Sequence, residues 1–101
     1  MEDLRNIYAT CSDCAAKPQQ KFMTWDINTF VNKWIKKSFC DKSTDITEHL
    51  WIKISKVNDD KISLTGTIDN DPVLDSGVKF GDTVQVNLDE IEECFDGEKL
   101  L

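Results

Sequence analysis

The chain has 101 residues and a mass of 11.6 kDa, which is the size of one domain and too small for an enzyme with separate cofactor and substrate domains. Its formal net charge is −7, and an acidic surface repels phosphate backbones and anionic headgroups, so nucleic-acid binding and membrane binding are disfavoured. The charge is also segregated: residues 1–54 carry 7 acids and 8 bases, whereas residues 55–101 carry 12 acids and 4 bases.

The first third of the chain has the spacing of helices. Leu4, Ile7 and Tyr8 predict a short N-terminal helix. Thr24 or Asp26 is a candidate N-cap for a second, amphipathic helix. The apolar stripe of that second helix is formed by Ile27, Phe30, Val31, Trp34 and Ile35. Residues 34–39 also fit a strand, and we place the change from helix to strand near Trp34.

From Leu50 onward the apolar residues recur with a period of two. Leu50, Ile52 and Ile54 point to one face and Trp51, Lys53 and Ser55 to the other, which predicts a half-buried strand. Residues 58–61 have turn chemistry and precede a second alternating segment, so the pair predicts a β-hairpin. The inward residues of that second segment are Ile62, Leu64, Gly66 and Ile68.

The remaining segments predict turns, one more strand and a final helical turn. Residues 69–72 form a turn in which asparagine and aspartate bond their own backbone, and Gly81 permits a positive φ before a strand. That strand has three inward residues, Val84, Val86 and Leu88. Asp89 and Glu92 have capping-box spacing for a helical turn that packs Ile91 and Phe95. We expect one α+β domain over residues 1–101, with a helical segment 1–33 and a β-rich module 34–95 whose four or five antiparallel strands curl into a partly open SH3-like barrel.

The second half resembles the bacterial domain-of-unknown-function family numbered 2314. Over about residues 35–95 the resemblance lies in five blocks: 35–39 (IKKSF), 48–51 (EHLW), 66–72 (GTIDNDP), 80–84 (FGDTV) and 89–92 (DEIE). It implies a small β-rich module in which Ile35 to Phe39 is a strand, and it implies no known activity. Members look like relatives of small proteins suspected of neutralising toxins in bacterial competition. The family often closes its last motif with a tryptophan where this chain has Cys94 and Phe95.

No segment has the features of a membrane span or a signal peptide. The apolar runs are far shorter than the ~20 residues that cross a bilayer, and the N-terminus lacks a basic start followed by an apolar stretch. We therefore expect a cytoplasmic protein, in which the four cysteines are free thiols or metal ligands. Cys11 and Cys14 have the C-x-x-C spacing of a zinc or redox pair, but no second pair completes a zinc site. They are weak candidates, and no metal or cofactor is predicted.

His49 is the only histidine and the one candidate for a general base. Glu48 and His49 lie on opposite faces of a strand, whereas His49 and Trp51 share a face. No nucleophile turn, phosphate loop or dinucleotide fingerprint is present, so we expect no catalysis. A small enzyme or redox protein that uses His49 or the Cys11/Cys14 pair is one alternative, and an SH3-like nucleic-acid-associated module is another.

The acidic second half favours a non-catalytic module that binds a basic protein, such as a toxin. Charge complementarity needs an aromatic or apolar anchor to give a tight complex. Trp51 or Phe95 is the expected anchor. The oligomeric state is not predicted. The residues expected to contribute to binding are Glu48, His49, Trp51, Asn70, Asp71, Glu92 and Phe95.

Overall fold

A computed structural model of the protein describes residues 6–10, 17–41, 46–72 and 78–101. Three 3-10 turns, at residues 20–24, 27–30 and 88–90, are the only helical elements in those ranges, and none is long and apolar enough to cross a membrane. The chain forms six strands there: β1 (Asn6–Thr10), β2 (Trp34–Asp41), β3 (Ile46–Val57), β4 (Ser63–Ile68), β5 (Thr83–Asn87) and β6 (Glu93–Phe95).

The strands form one antiparallel sheet in the order β5-β4-β3-β2-β6, and β1 pairs with β3. The 12-residue strand β3 has three partners, because residues 46–49 pair with β1, residues 46–53 with β2 and residues 52–57 with β4. The predicted β-rich antiparallel domain is confirmed. Since β5 and β6 lie at opposite ends of the strand order, the sheet is not closed and the SH3-like barrel is not confirmed.

One face of the sheet carries the hydrophobic core. The inward positions predicted for β3 and β4 are buried, and their side chains exclude water on folding. The expectation of a half-buried β3 is wrong at Trp51, which lies on the other face and is only 3% exposed. Residues from the 3-10 turns and from the segment around β6 cover this face. The fully buried core consists of Phe22, Phe30, Ile35, Leu50, Ile52, Ile54, Leu64, Ile68, Val86, Ile91 and Cys94.

Both helices predicted in residues 1–33 are wrong. The first is replaced by β1, whose backbone pairs with β3; tertiary pairing overrides local spacing in so short a segment. The second is reduced to 3-10 turns: the helical geometry ends at Phe30 because Val31 is extended, with a ψ of 134°, and Asn32 follows with a φ of 67°. Asp26 does act as the predicted cap, accepting a hydrogen bond from the N–H of Asn28 at 3.0 Å. The predicted change to a strand at Trp34 is confirmed.

Two predictions for the later segments also need correction. Ile62 is 66% exposed because β4 begins one residue later and Ile62 belongs to the preceding turn. The expected helical turn at residues 89–95 is a 3-10 turn at residues 88–90, in which the Glu90 carboxylate accepts from the N–H of Asn87 at 2.8 Å. Phe95 lies in β6 instead. The hairpin of β3 and β4 and the positive φ of Gly81 are confirmed.

Candidate functional site

A buried polar cluster lies on the second face of the sheet and consists of Ser38, His49 and Glu92. The register of β2 and β3 places Ser38 opposite His49. Nδ1 of His49 lies 2.7 Å from Oε1 of Glu92, and the Ser38 hydroxyl donates to Oε2 of the same carboxylate. His49 and Glu92 are each 1% exposed, so a carboxylate and an imidazole form a hydrogen-bonded pair almost without water contact.

The backbone around Glu92 is held in place from two sides. Its N–H donates to the carbonyl of Lys36 in β2 at 2.9 Å. The side-chain amide of Gln19 donates to the carbonyl of Glu92 at 2.7 Å, and the N–H of Gln19 donates to the carbonyl of Ile91 at 2.9 Å. These three bonds aim the Glu92 side chain at His49 although the two residues are 43 positions apart.

The cluster does not have the arrangement of a hydrolytic triad. In a triad the carboxylate bonds one imidazole nitrogen and the nucleophile bonds the other. Here the Ser38 hydroxyl lies 3.2 Å from Nδ1, the nitrogen that already faces Glu92, and its proton is donated to the carboxylate. The geometry satisfies the hydrogen-bonding groups of buried His49 and Glu92 together with that of half-buried Ser38, and these bonds fix the segment before β6 to the sheet.

Three aromatic rings continue the same face beyond the polar cluster. The Phe95 ring centroid lies 5.9 Å from those of both Trp34 and Trp51. Lys53 places its ammonium 3.8 Å from the Trp34 ring centroid, and Lys36 lies 5.0 Å from that of Trp51. Lysine stems and aromatic rings thus cover each other, as expected for cations above aromatic faces.

The turn after β4 is tied to this face by side chains. Asp69 accepts a hydrogen bond from the indole N–H of Trp34 at 2.6 Å, and the side-chain oxygen of Asn70 accepts from the N–H of Trp51 at 2.7 Å. The prediction that these residues bond their own backbone is therefore wrong, because both partners lie on other strands. The turn thus fixes the positions of Trp34 and Trp51 through these two hydrogen bonds.

The structure brings together some of the predicted binding residues and separates others. His49 contacts Glu92, and Trp51 contacts Phe95 and Asn70. Glu48 points to the opposite face from His49, as predicted. Asp71 alone among the seven is exposed, Asn70 and Phe95 are half-buried, and the other four are buried, namely Glu48, His49, Trp51 and Glu92. Of the seven residues, only Asp71, Asn70 and Phe95 expose more than a small fraction of their surface to a partner.

Sequence reasoning did not find Ser38 and Gln19, the residues that complete the environment of Glu92. Ser38 lies in the block 35–39 but in no catalytic or metal-binding motif, Gln19 lies in none of the blocks, and their contacts with Glu92 span 54 and 73 positions. Only the register of β2 against β3, with Ser38 opposite His49, carries a signal for the first of them. A correct strand pairing would therefore have suggested Ser38, whereas no local pattern indicates Gln19.

The cysteines divide into different chemical states. Cys40 is disulfide-bonded, so the expectation that it is a free thiol or a metal ligand is wrong. Two cysteines can form this bond wherever the fold brings their β-carbons close enough, whatever their spacing in the sequence. Cys94 is free and fully buried, and burial raises the pKa of its thiol to about 11. Cys11 and Cys14 lie outside the described residues, within which no group of three metal-ligating side chains occurs.

A separate groove of about 500 Å³ opens at the end of β5. It is bordered by a 3-10 turn, by the turn between β3 and β4, and by the residues that follow β5. Two of its apolar residues are unusually exposed, Met23 at 53% and Ile62 at 66%. The full lining is Met23, Ile62, Asn87, Leu88 and Asp89.

Comparison with known proteins connects this architecture to one family. A family model described as an uncharacterized protein conserved in bacteria, DUF2314, matches residues 11–96. This range starts well before the resemblance noted from residue 35 onward and includes Gln19, Ser38, His49 and Glu92. No match was found among the curated proteins or among the solved structures. The chain therefore belongs to DUF2314, a family of uncharacterized proteins conserved in bacteria.

Proposed function

We propose that this protein is a non-catalytic binding domain for a basic protein and that neutralisation of a toxin is its biological use. The observation that carries the proposal is the surface of residues 78–101, which contain seven acids and two bases. Glu92 alone among those acids is buried, and the other six retain exposed surface. A surface with this excess of carboxylates attracts a basic partner over long distances and repels acidic competitors.

The geometry of the buried cluster supports binding over catalysis. Ser38 and Glu92 both face Nδ1 of His49, so the serine is not placed for activation by the imidazole. The cluster is also nearly inaccessible to a substrate. Both facts favour a structural role for the only histidine and weigh against the alternative of a small enzyme that uses it.

A cytoplasmic location belongs to the same proposal, but the disulfide bond of Cys40 weighs against it, so the state of Cys40 in cells is the test. The cytoplasm keeps most thiols reduced, whereas disulfides persist in oxidising compartments. Rapid alkylation of cells that make the protein, followed by mass spectrometry, reads out the state of Cys40. Alkylated Cys40 supports the cytoplasm, and a protected Cys40 places the protein in an oxidising compartment.

The binding proposal is tested by capturing partners from the native cell on the immobilised protein and measuring association kinetics with the recovered protein. We expect a basic partner whose association rate falls about tenfold or more between low and high salt while the dissociation rate changes little, because salt screens long-range attraction. Glu98→Gln should slow association, and Lys99→Gln, a neighbouring control of opposite charge, should accelerate it. Recovery of only acidic proteins or small metabolites, or a rate that ignores salt, would contradict the proposal.

A further inference from the structure

We infer that the groove bordered by Met23, Ile62, Asn87, Leu88 and Asp89 receives an apolar side chain from a basic segment of the partner protein. This inference rests on the proposed function and assigns the contact site within it. The anchor predicted from the sequence, Trp51 or Phe95, is buried or half-buried under neighbouring side chains. The groove instead offers open apolar surface.

The first argument is the exposure of the lining. Met23 and Ile62 are two of the four large hydrophobic residues that are exposed among the described parts of the chain, and both border this one groove. The other two, Phe80 and Leu100, are not among its lining residues. Apolar side chains that meet at a concave site gain free energy when a partner covers them, whereas isolated ones carry no such meaning.

The second argument is the charge around the groove. Asp89 is the one charged residue of the lining. Next to Ile62, the Asp60 carboxylate accepts hydrogen bonds from the N–H groups of Ile62 and Ser63 at 2.9 and 3.0 Å. The hydrogen bonds from Ile62 and Ser63 lower the pKa of Asp60 below its ordinary value. The Asp60 carboxylate is therefore negative at neutral pH. Asp59 adds another carboxylate to this turn, which contains a single base, Lys61.

The third argument concerns the identity of the occupant. A second copy of this chain would bring another net charge of −7 to the contact, and like charge opposes association. A segment with lysine or arginine on both sides of one apolar residue matches the apolar centre and the acidic surroundings together. A volume of about 500 Å³ accommodates such an anchor, and buried anchors surrounded by polar groups dominate binding energy at protein interfaces.

The inference is tested with two synthetic peptides, Lys-Lys-Leu-Lys-Lys and Lys-Lys-Ser-Lys-Lys, titrated into the isotopically labelled full chain. We expect the leucine peptide to shift the NMR signals of Met23, Ile62 and Leu88 and to bind at least about tenfold more tightly than the serine peptide, since the groove removes the leucine side chain from water.

Matched variants separate the groove from other exposed apolar surface. Ile62→Ser should weaken binding of the leucine peptide about tenfold and leave binding of the serine peptide unchanged. Leu100→Ser, a change at a residue with 56% exposure outside the lining, should leave both affinities unchanged. Circular dichroism of each variant confirms that it is folded.

The outcomes distinguish the groove from the proposed function. If both peptides bind with equal affinity and shift only the signals of acidic residues outside the groove, the groove is not the contact site. The proposed binding function would still stand. If neither peptide binds and no basic partner is captured from cells, both proposals fail. Concentration-dependent shifts of the groove signals without peptide would identify a second copy as the occupant and overturn the inference.

Discussion

Glu92 occupies a position where the chain excludes water, so its carboxylate depends on the partners that the fold supplies. His49 and Ser38 supply them through Nδ1 and a hydroxyl, and Gln19 fixes the adjoining backbone. Removing one partner of a buried hydrogen-bonded pair costs more than the pair contributes, because the remaining polar group stays buried without compensation. Stability is therefore the first property that a change in this cluster should affect.

We predict that His49→Ala lowers the free energy of unfolding by about 3–5 kcal/mol and that Ser38→Ala lowers it by about 1–3 kcal/mol. Urea unfolding at neutral pH measures both effects. Ser55→Ala is the matched control, because Ser55 lies on the same face of β3 but is exposed, and its loss should cost about 0.5 kcal/mol or less. A cost for His49→Ala no larger than that of the control would refute a stabilising role.

Because His49→Ala is expected to destabilise the protein, a cellular phenotype that is lost in this variant can result from unfolding alone. A cellular phenotype lost with His49→Ala separates an enzyme from a binding module only when the variant is shown to be folded. A double replacement of His49 and Glu92 by leucine removes both polar groups together and should be less destabilising than the sum of the single changes. That double variant is the better test of catalysis.

Cys94 gives the protein a sensitivity to alkaline pH. Burial raises its thiol pKa from 9.0 to about 11, so the folded state holds its proton where the unfolded state loses it. The stability from this difference is fully present below pH 9 and is lost as the pH rises to 11, amounting to about 2 kcal/mol at the upper limit. Between pH 8 and pH 10.5, Cys94→Ala should lose less stability than the native protein in urea unfolding. Equal losses would show that the thiol does not contribute.

At Gly66, β4 lies so close to β3 that there is no room for a side chain. A β-carbon at this position would meet the carbonyl oxygen of Lys53 at 2.4 Å and the Ile52 side chain at 2.7 Å. This contact explains why the alternating apolar pattern of β4 contains a glycine at an inward position. The absence of a side chain allows the backbone of β3 to pass at that point.

We predict that Gly66→Ala lowers the free energy of unfolding by more than about 2 kcal/mol, because the clash involves backbone that cannot move aside. Gly81→Ala is the matched control: Gly81 has a φ of 84°, but an added β-carbon there would have no atom beyond its chain neighbours within 4 Å, so its cost should be about 1–2 kcal/mol from backbone strain alone. Thermal unfolding of both variants gives the comparison. A Gly66→Ala variant as stable as the native protein would contradict the close approach.

The strands of the second half could be predicted because their period of two reflects burial of one face, as Leu50, Ile52 and Ile54 show. The N-terminal elements could not, because a strand such as β1 is stabilised by pairing with β3, 36 to 43 positions away, and not by local spacing. The exposed position of Ile62 has a similar cause: hydrogen bonds to Asp60 fix the turn and shift the start of β4 by one residue. The three members of the buried cluster were unpredictable as a set because only the completed sheet brings them together.

On the scale of the whole molecule, the charge segregation of the sequence becomes a difference between regions of the surface. Three lysines of β2 and β3 are stacked on aromatic rings, namely Lys36, Lys37 and Lys53. Two of them also pair with glutamates: Lys36 lies 3.0 Å from Glu93 and Lys37 lies 3.1 Å from Glu90. The Lys36 side chain is only 5% exposed, and the side chains of Lys37, Glu90 and Glu93 are partly buried, so these pairs are not fully solvated. They offset the charges of Glu90 and Glu93 together with those of the two lysines, whereas Asp89 and Glu98 remain exposed.

The long strand β3 also determines the order in which the chain can fold. Among the described residues, β1 and β2 do not pair with each other, and both pair with β3. A growing chain therefore has no strand pairing to form until residues 46–57 have been synthesised. The last strand must then return to β2, placing Phe95 opposite Trp34, and Gln19 must meet Glu92 across 73 positions. Such distant contacts carry a large loop-closure entropy, so folding should be slow for a domain of this size and should finish only with the C-terminal segment.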